Sequence, residues 1–263
     1  MIGICTDSSS QLPAELVDHL GVEIVPVTVT IDGVEYLDGV DLDADGFYSR
    51  FTADTAPEVS MSEPSPGQFA AAYEDLIARG CTEILSIHVA PTVAGAVNAA
   101  RLAAHATAIP VRVVDSTSVG FGVGCCVWAA ADAVRHGATL EQAAVASEQA
   151  ASTLGHFVLL HPSHTDASMV LVNVTSGSAA ALGTFPHAAD AIDEMARRAV
   201  ACGQRLRVGV GHSDASSLPT ADALAAALGE VANVFEVVRF RIGPSMGSLT
   251  GPGAVGCVVS GTG

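Results

Sequence analysis

Ile2-Gly3-Ile4-Cys5-Thr6-Asp7-Ser8-Ser9-Ser10 opens the chain with a short apolar run that ends abruptly in four small polar residues. Ile2 to Thr6 reads as a strand. Pro13 suits a first helical position, Glu15 a first turn and Gly21 a stop, so a helix is expected over roughly residues 13–20. Strand, polar turn and helix in that order form the first half of a βαβ unit, and the same texture recurs downstream.

Val22 to Ile31 reads as one strand, with Asp32-Gly33 as the two-residue turn of a hairpin returning through Val34-Glu35-Tyr36. Ser65-Pro66-Gly67-Gln68 carries an N-cap, a proline at the first helical position and a capping-box glutamine. Phe69, Tyr73, Leu76 and Ile77 then line one helical face. Strands at Ile84–Val89 and Val111–Val114 alternate with helices at Val93–Ala106, Val119–Arg135 and Glu141–Ala151. From Phe157 the texture changes. Strands are expected at Phe157–Leu160, Met169–Val174, Leu206–Val210, Phe235–Phe240 and Val255–Val259, with helices near Ala188–Ala201 and Thr220–Leu228. The fold class is α/β: an N-terminal lobe with a parallel sheet flanked by helices, over residues 1–154, and a C-terminal α+β lobe with a sheet flanked by helices, over 155–263. The boundary falls near Leu154-Gly155.

Composition narrows the function. The 263 residues carry 28 acids against 11 bases, every base an arginine, for a net charge of -17. Nucleic acid is not an expected partner, because a phosphate-neutralising basic stripe is missing. The mean hydropathy of +0.44 comes from Ala and Val in segments broken by Gly, Pro or charge. No apolar run approaches the ~20 residues of a bilayer span, so stable membrane insertion is not expected. No export signal is recognisable, and the cytoplasm is the expected location. Cys5, Cys81, Cys125, Cys126, Cys202 and Cys257 show no CxxC spacing and read as small buried hydrophobes.

In open α/β sheets, ligands bind beyond the carboxyl ends of the parallel strands, where helix N-termini offer free N–H groups. Three strand ends here are polar: Asp7 to Ser10, Ala90-Pro91-Thr92 with Gly95 behind, and Asp115 to Gly120. A fourth polar stretch, Ser60 to Ser65, leads into a helix from a loop. One such segment would merely cap a helix; four together point to a site. No arginine lies in any of them, against a phosphate-rich ligand. Gly251 to Gly256 matches GxGxxG but precedes a strand, which makes it a turn and not a dinucleotide loop. His161-Pro162-Ser163-His164-Thr165-Asp166 has metal-like spacing without a nearby fourth ligand and reads as a surface loop. No GxSxG elbow occurs. His88 reads as a core histidine, and Cys125-Cys126 as core.

The polar strand ends, in this order, resemble the DegV family of fatty-acid-binding proteins. The matching segments are Thr6-Asp7-Ser8-Ser9-Ser10 with Leu12-Pro13, Val25-Pro26, Ser62-Glu63-Pro64-Ser65-Pro66 with Phe69, Val114-Asp115-Ser116 running to Gly120-Phe121-Gly122, Ile242-Gly243-Pro244 and Thr250-Gly251-Pro252-Gly253-Ala254. The resemblance implies two lobes with a long-chain fatty acid or other acyl lipid buried between them, no catalysis and no cofactor. Some members partner an acyl kinase. It places the ligand near Ser8, Ser9, Met61, Ser62, Thr92, Ala94, Gly95, Ser116 and Leu249.

Departures from the family accompany these matches. Met61 stands where a threonine is usual, Val93-Ala94-Gly95-Ala96 where Leu-Ser-Gly-Thr is usual, and Leu249 where a histidine is usual. The family's Gly-Gly-Arg segment is missing between Gly155 and Val170, which weighs against the kinase partner. Each lost side-chain hydrogen bond removes ~1–3 kcal/mol, whereas each buried methylene contributes about 0.8 kcal/mol. Head-group choice should therefore suffer more than lipid binding, and the N–H groups of Ser62 and Gly95 could hold a carboxylate or a neutral alcohol, ester or amide. The reading from another class is a divergent α/β enzyme using Asp7, Ser8, Ser116 or His88. A third is a collapsed pocket that serves only protein interaction.

Overall fold

The computed structural model describes residues 1–52, 55–89, 95–161 and 168–261. Its first sheet joins β1 (Ile2–Asp7), β2 (Val22–Val25), β6 (Glu83–His88) and β7 (Val111–Asp115) in the order β2-β1-β6-β7, with every pair parallel. Ile4, Cys5, Ile84, Leu85, Ile87, Val113 and Val114 are buried, as parallel strands covered on both faces require. Helices α3 (Pro66–Ala78) and α4 (Ala96–Ala106) pack together, and α5 (Phe121–Arg135) packs on α6 (Leu140–Ser152) and on α1 (Ala14–Leu20). The expected capping box at Ser65 and Gln68 is present, and Gly21 ends α1 at φ +66°.

The expected single strand Val22–Ile31 is two strands. Val25 is the last residue of β2, and β3 (Thr28–Ile31) belongs to a separate antiparallel sheet with β4 (Val34–Leu37) and β5 (Val59–Ser62), ordered β4-β3-β5. Pro26 has no N–H to give a ladder, so the chain leaves one sheet there and enters another. The Asp32-Gly33 turn forms with φ of +50° and +81°, the two left-handed residues of a tight hairpin. Met61 and Ser62, expected in a loop, lie on β5 and pair with Val29 and Thr28. A short helix α2 (Ala44–Tyr48) buries Phe47 and Tyr48 against this small sheet.

The third sheet is mixed and runs β10-β9-β8-β13-β11-β12. Its strands are β8 (Gly155–Leu160), β9 (Met169–Thr175), β10 (Ser178–Phe185), β11 (Leu206–His212), β12 (Val234–Arg241) and β13 (Val255–Gly261). Only β11 and β12 pair in parallel. One core forms between this sheet and helices α7 (Ala188–Val200) and α8 (Leu218–Gly229), with Leu171, Met195, Val208, Val210 and Leu224 fully buried. A last helix, α9 (Pro244–Thr250), precedes the Gly251 and Gly253 turn, which leads into β13 as expected.

Helix α5 joins the two lobes. Val123, Cys126, Val127 and Ala130 face the parallel-sheet core, while Phe121, Cys125 and Trp128 face Phe240, Ile242, Ala254 and Val258 of the second lobe. Two apolar stripes at helical spacing on one helix make it buried nearly all round, the pattern of a helix sandwiched between sheets.

Candidate functional site

Polar side chains of β1 and β6 interlock by hydrogen bonds, and the Ser116 N–H after β7 donates to the His88 carbonyl at 3.0 Å. Asp7 caps a 3-10 turn at Ser8–Ser10, its carboxylate accepting from the Ser9 N–H at 3.1 Å and from the Ser9 hydroxyl. Its other oxygen lies 2.7 Å from Nδ1 of His88, whose Nε2 is 2.6 Å from the Ser86 hydroxyl oxygen. Tyr73 donates its O–H to Ser86 at 2.9 Å. An Nδ1–H given to Asp7 leaves Nε2 to accept from Ser86. His88 and Ser86 are fully buried, and Phe69 stands edge-on to the imidazole at 4.8 Å.

The residues singled out from sequence do not share one surface. Ser9 is spent on Asp7, and Ser116 is fully buried, accepting from the Ser118 N–H at 3.3 Å. Ser8 accepts from the Val27 N–H at 3.0 Å and donates to Asp38 at 2.9 Å. Asp38 is buried, and desolvation raises its carboxyl above the usual range. Gln11, held at φ +54°, donates to the Ser8 carbonyl at 3.2 Å and to the Ser245 hydroxyl at 3.0 Å, and accepts from the Gly243 N–H. That amide ties the strand-end turn to the start of α9.

At the other end of α9, Met61 is 38% exposed and its sulfur accepts from the Ser248 hydroxyl at 3.4 Å; Leu249 is 61% exposed and Ser62 is exposed. Gly95 is the N-cap of α4, and a Cβ added there would lie 2.5 Å from a carboxylate oxygen of Glu63. A carboxylate at a helix N-terminus is electrostatically favourable, so the protein places its own acid where free N–H groups are offered. Thr92, Ala94 and the strand-end stretch from Ala90 lie outside the described residues, as does most of the His161 to Asp166 motif. Among the described residues no cluster of three His, Cys, Asp or Glu side chains could hold a metal.

The seam between the lobes is closed by two side chains that sequence reading left unassigned. Phe121 of α5 and Phe240 of β12 stack with centroids 4.4 Å apart and planes 9° from parallel. Each ring lies over a glycine of β11: a Cβ would stand 2.3 Å from Phe121 at Gly209 and 2.3 Å from Phe240 at Gly211. Beside the stack remains a void of about 20 Å³, lined by Gln11, His156, Val158, Ile242, Met246 and Thr250 among others. That is room for roughly one water molecule. His156 is 7% exposed, makes no hydrogen bond to a described residue, and burial lowers its pKa to about 4. A larger cleft of about 740 Å³ opens outside the stack, where Ser8, Leu12, Asp38, Val40, Asp43 and Arg241 line it. It reaches Ser8 but not Ser62, Gly95 or Leu249. The signal for the stack was faint: Phe121 sits between glycines and Phe240 in a recognisable strand, but nothing pairs residues so far apart in the chain.

Comparison with known proteins gives concordant results. Residues 1–162 match the profile of a family described as "Uncharacterised protein, DegV family". A DegV domain-containing protein of Deinococcus radiodurans is 40% identical over 141 residues, which are 54% of this chain and 50% of that protein. One of Streptomyces coelicolor is 32% identical over 160 residues, 59% and 55% of the two chains. The matched stretch thus spans about half the length of these curated relatives. In solved structures, the fold resembles a DegV family protein of Thermus thermophilus whose structure is described under its fatty acid binding, at TM-score 0.88 and 23% identity over 99% of both chains. It also resembles DegV of Bacillus subtilis, described as a fatty acid binding protein, at TM-score 0.85 and 19% identity over 99% of both chains. The polar strand ends, the two-lobed fold and the family match agree, and the chain belongs to the DegV family.

Proposed function

We propose that this protein binds a long-chain fatty acid or related acyl lipid between its two lobes and does not catalyse a reaction on it. The observation that carries the reading is the apolar seam itself, in which Phe121, Cys125 and Trp128 of α5 face Phe240, Ile242, Ala254 and Val258, with a small void beside Phe121, Phe240 and Ile242. Family membership and the fatty-acid-binding descriptions of its structural relatives support it. The lobes divide at Leu154-Gly155, a boundary across which no strand of the described residues pairs. The acyl tail takes the space that the Phe121–Phe240 stack now fills, which requires the rings to part. Its head group lies at the α9 end, near Met61, Ser62, Gly95 and Leu249; Thr92 and Ala94, assigned to the site from sequence, lie outside the described residues. A cytoplasmic lipid carrier fits a chain in which no described helix is long and apolar enough to cross a membrane.

A second reading has its own observation. Asp7, His88 and Ser86 stand in the spacing of a hydrolytic triad, with contacts of 2.7 and 2.6 Å. Ser86 is fully buried beneath Tyr73, however, and a nucleophile needs an approach for its substrate. Mass spectrometry of the purified protein, native and then denatured, separates the readings. An acyl compound released in about equimolar amount supports binding. An empty protein that turns over ester probes, with the activity abolished in Ser86→Ala or Ser116→Ala, overturns it.

A further inference from the structure

Among the described residues, His156 on β8 is a polar side chain of the seam with no hydrogen-bond partner. It projects with Val158 toward α5, on the face of the sheet that meets the first lobe, and lines the void beside the aromatic stack. A buried imidazole has a donor and an acceptor to satisfy, and no described residue supplies a partner. Burial disfavours its cationic form, so the ring enters any complex neutral.

The other polar walls of the void are occupied. Gln11 uses its amide on Ser8, Ser245 and Gly243, and the Thr250 hydroxyl donates to the Met246 carbonyl at 3.2 Å. A resident water needs two to four polar partners, and this void offers little beyond the imidazole. No lysine or arginine lines it, so a carboxylate driven to this depth would be buried without a counter-charge. A neutral oxygen meets the requirement: it pairs with the ring and brings no charge.

Resting on the acyl-lipid reading above, we propose that the seam selects an acyl chain bearing a hydroxyl or keto oxygen along its length, which hydrogen-bonds His156. The mouth of the site is consistent with polar recognition at depth: Met61 and Leu249 expose apolar surface there, and Glu63 sets a negative charge beside Gly95. The tail oxygen then supplies the specificity that the mouth lacks.

The test is calorimetric titration of the delipidated protein with octadecanoic acid and with monohydroxy octadecanoic acids whose hydroxyl is stepped along the chain. One position should bind about tenfold more tightly than the plain acid, the worth of one buried hydrogen bond. His156→Phe should erase that preference while leaving the plain acid's Kd within about threefold; His156→Gln should keep part of it. In the unmutated protein, the 15N resonances of the His156 ring should shift with the preferred hydroxy acid and stay in place with the plain acid, which gives a readout independent of variant folding. Equal binding at every hydroxyl position, or a preference that survives in His156→Phe, overturns the proposal and leaves the lipid reading standing. Failure of any acyl chain to bind overturns the lipid reading itself.

Discussion

Phe240→Ala is the most direct perturbation of the seam. The ring is 5% exposed, stacks on Phe121 at 4.4 Å and fills the space over Gly211. Truncating a buried phenylalanine to alanine costs about 3–5 kcal/mol, because the apolar transfer is lost and a cavity is left. At roughly 2–4 °C per kcal/mol for a chain of this size, the empty variant should melt about 10 °C lower. An acyl tail entering the intact protein must first displace the ring, whereas in the variant the space is already open. Ligand affinity should therefore move opposite to stability, with octadecanoic acid binding at least tenfold more tightly to Phe240→Ala, about 1.4 kcal/mol. Saturating ligand should also recover much of the lost melting temperature, since binding to the native state alone adds stability. Thermal scans with and without ligand, paired with calorimetric Kd values, check both halves. A variant that melts lower yet binds no more tightly refutes the idea that the tail lies where the stack lies.

Four other perturbations follow from the same geometry. Because burial lowers the pKa of His156 from 6.5 to about 4, the unfolded chain takes up a proton before the folded one; stability from this residue is present above pH 6.5 and falls as the pH drops towards 4. The loss should total about 3 kcal/mol and be missing from His156→Phe, as denaturant melts at pH 7 and pH 4.5 would read. Glu63→Gln removes a charge from the N-terminus of α4 and should tighten a carboxylate-headed ligand about fivefold while leaving an acyl alcohol unchanged, as expected of like charges near the surface. The double change Met61→Thr and Ala94→Ser should strengthen fatty-acid binding by about tenfold per recovered hydrogen bond, and no gain would place the head group elsewhere. Arg207 is 15% exposed, lies 3.6 Å over the Trp128 ring and bridges Asp132 of the first lobe with Glu236 of the second; Arg207→Ala should cost about 2–3 kcal/mol and red-shift the emission of this single tryptophan.

Strands β1, β6 and β7 were legible as short, mainly apolar runs between turn signals, whereas β2 was merged with β3; the Ser65 and Gln68 capping box marked a helix start that the structure keeps. Two kinds of feature were not. Strands whose residues have weak strand propensity escape notice: β10 reads Ser-Ala-Ala-Ala-Leu-Gly-Thr-Phe and exists through its pairing with β9 across the Ser176-Gly177 turn. Contacts between distant residues are equally silent. Gln11 reaches Ser245 and Phe121 reaches Phe240, and no periodicity in either segment anticipates its partner. Of the polar strand ends, the Ser9 hydroxyl is consumed by Asp7 and the buried Ser116 hydroxyl accepts from the Ser118 N–H, while the stretch from Ala90 to Ala94 lies outside the described residues.

The consumed hydroxyls give the cluster a different meaning. A chain of hydrogen bonds runs from Tyr73 through Ser86 and His88 to Asp7, which fixes the turn at Ser8–Ser10; Gln11 follows directly and grips Gly243 and Ser245 in the second lobe. Satisfied buried networks of this kind are rigid, because breaking one link leaves a desolvated polar group behind. The first lobe thus transmits the position of its sheet to α9, the helix that carries Met246 and Thr250 onto the seam void and Leu249 to the surface. On the proposed lipid-binding reading, the carboxylate–imidazole–hydroxyl contacts that would orient a nucleophile serve as a strut for one side of the seam, while the Phe121–Phe240 stack is held by apolar packing over Gly209 and Gly211 and is the side that would have to part for a tail.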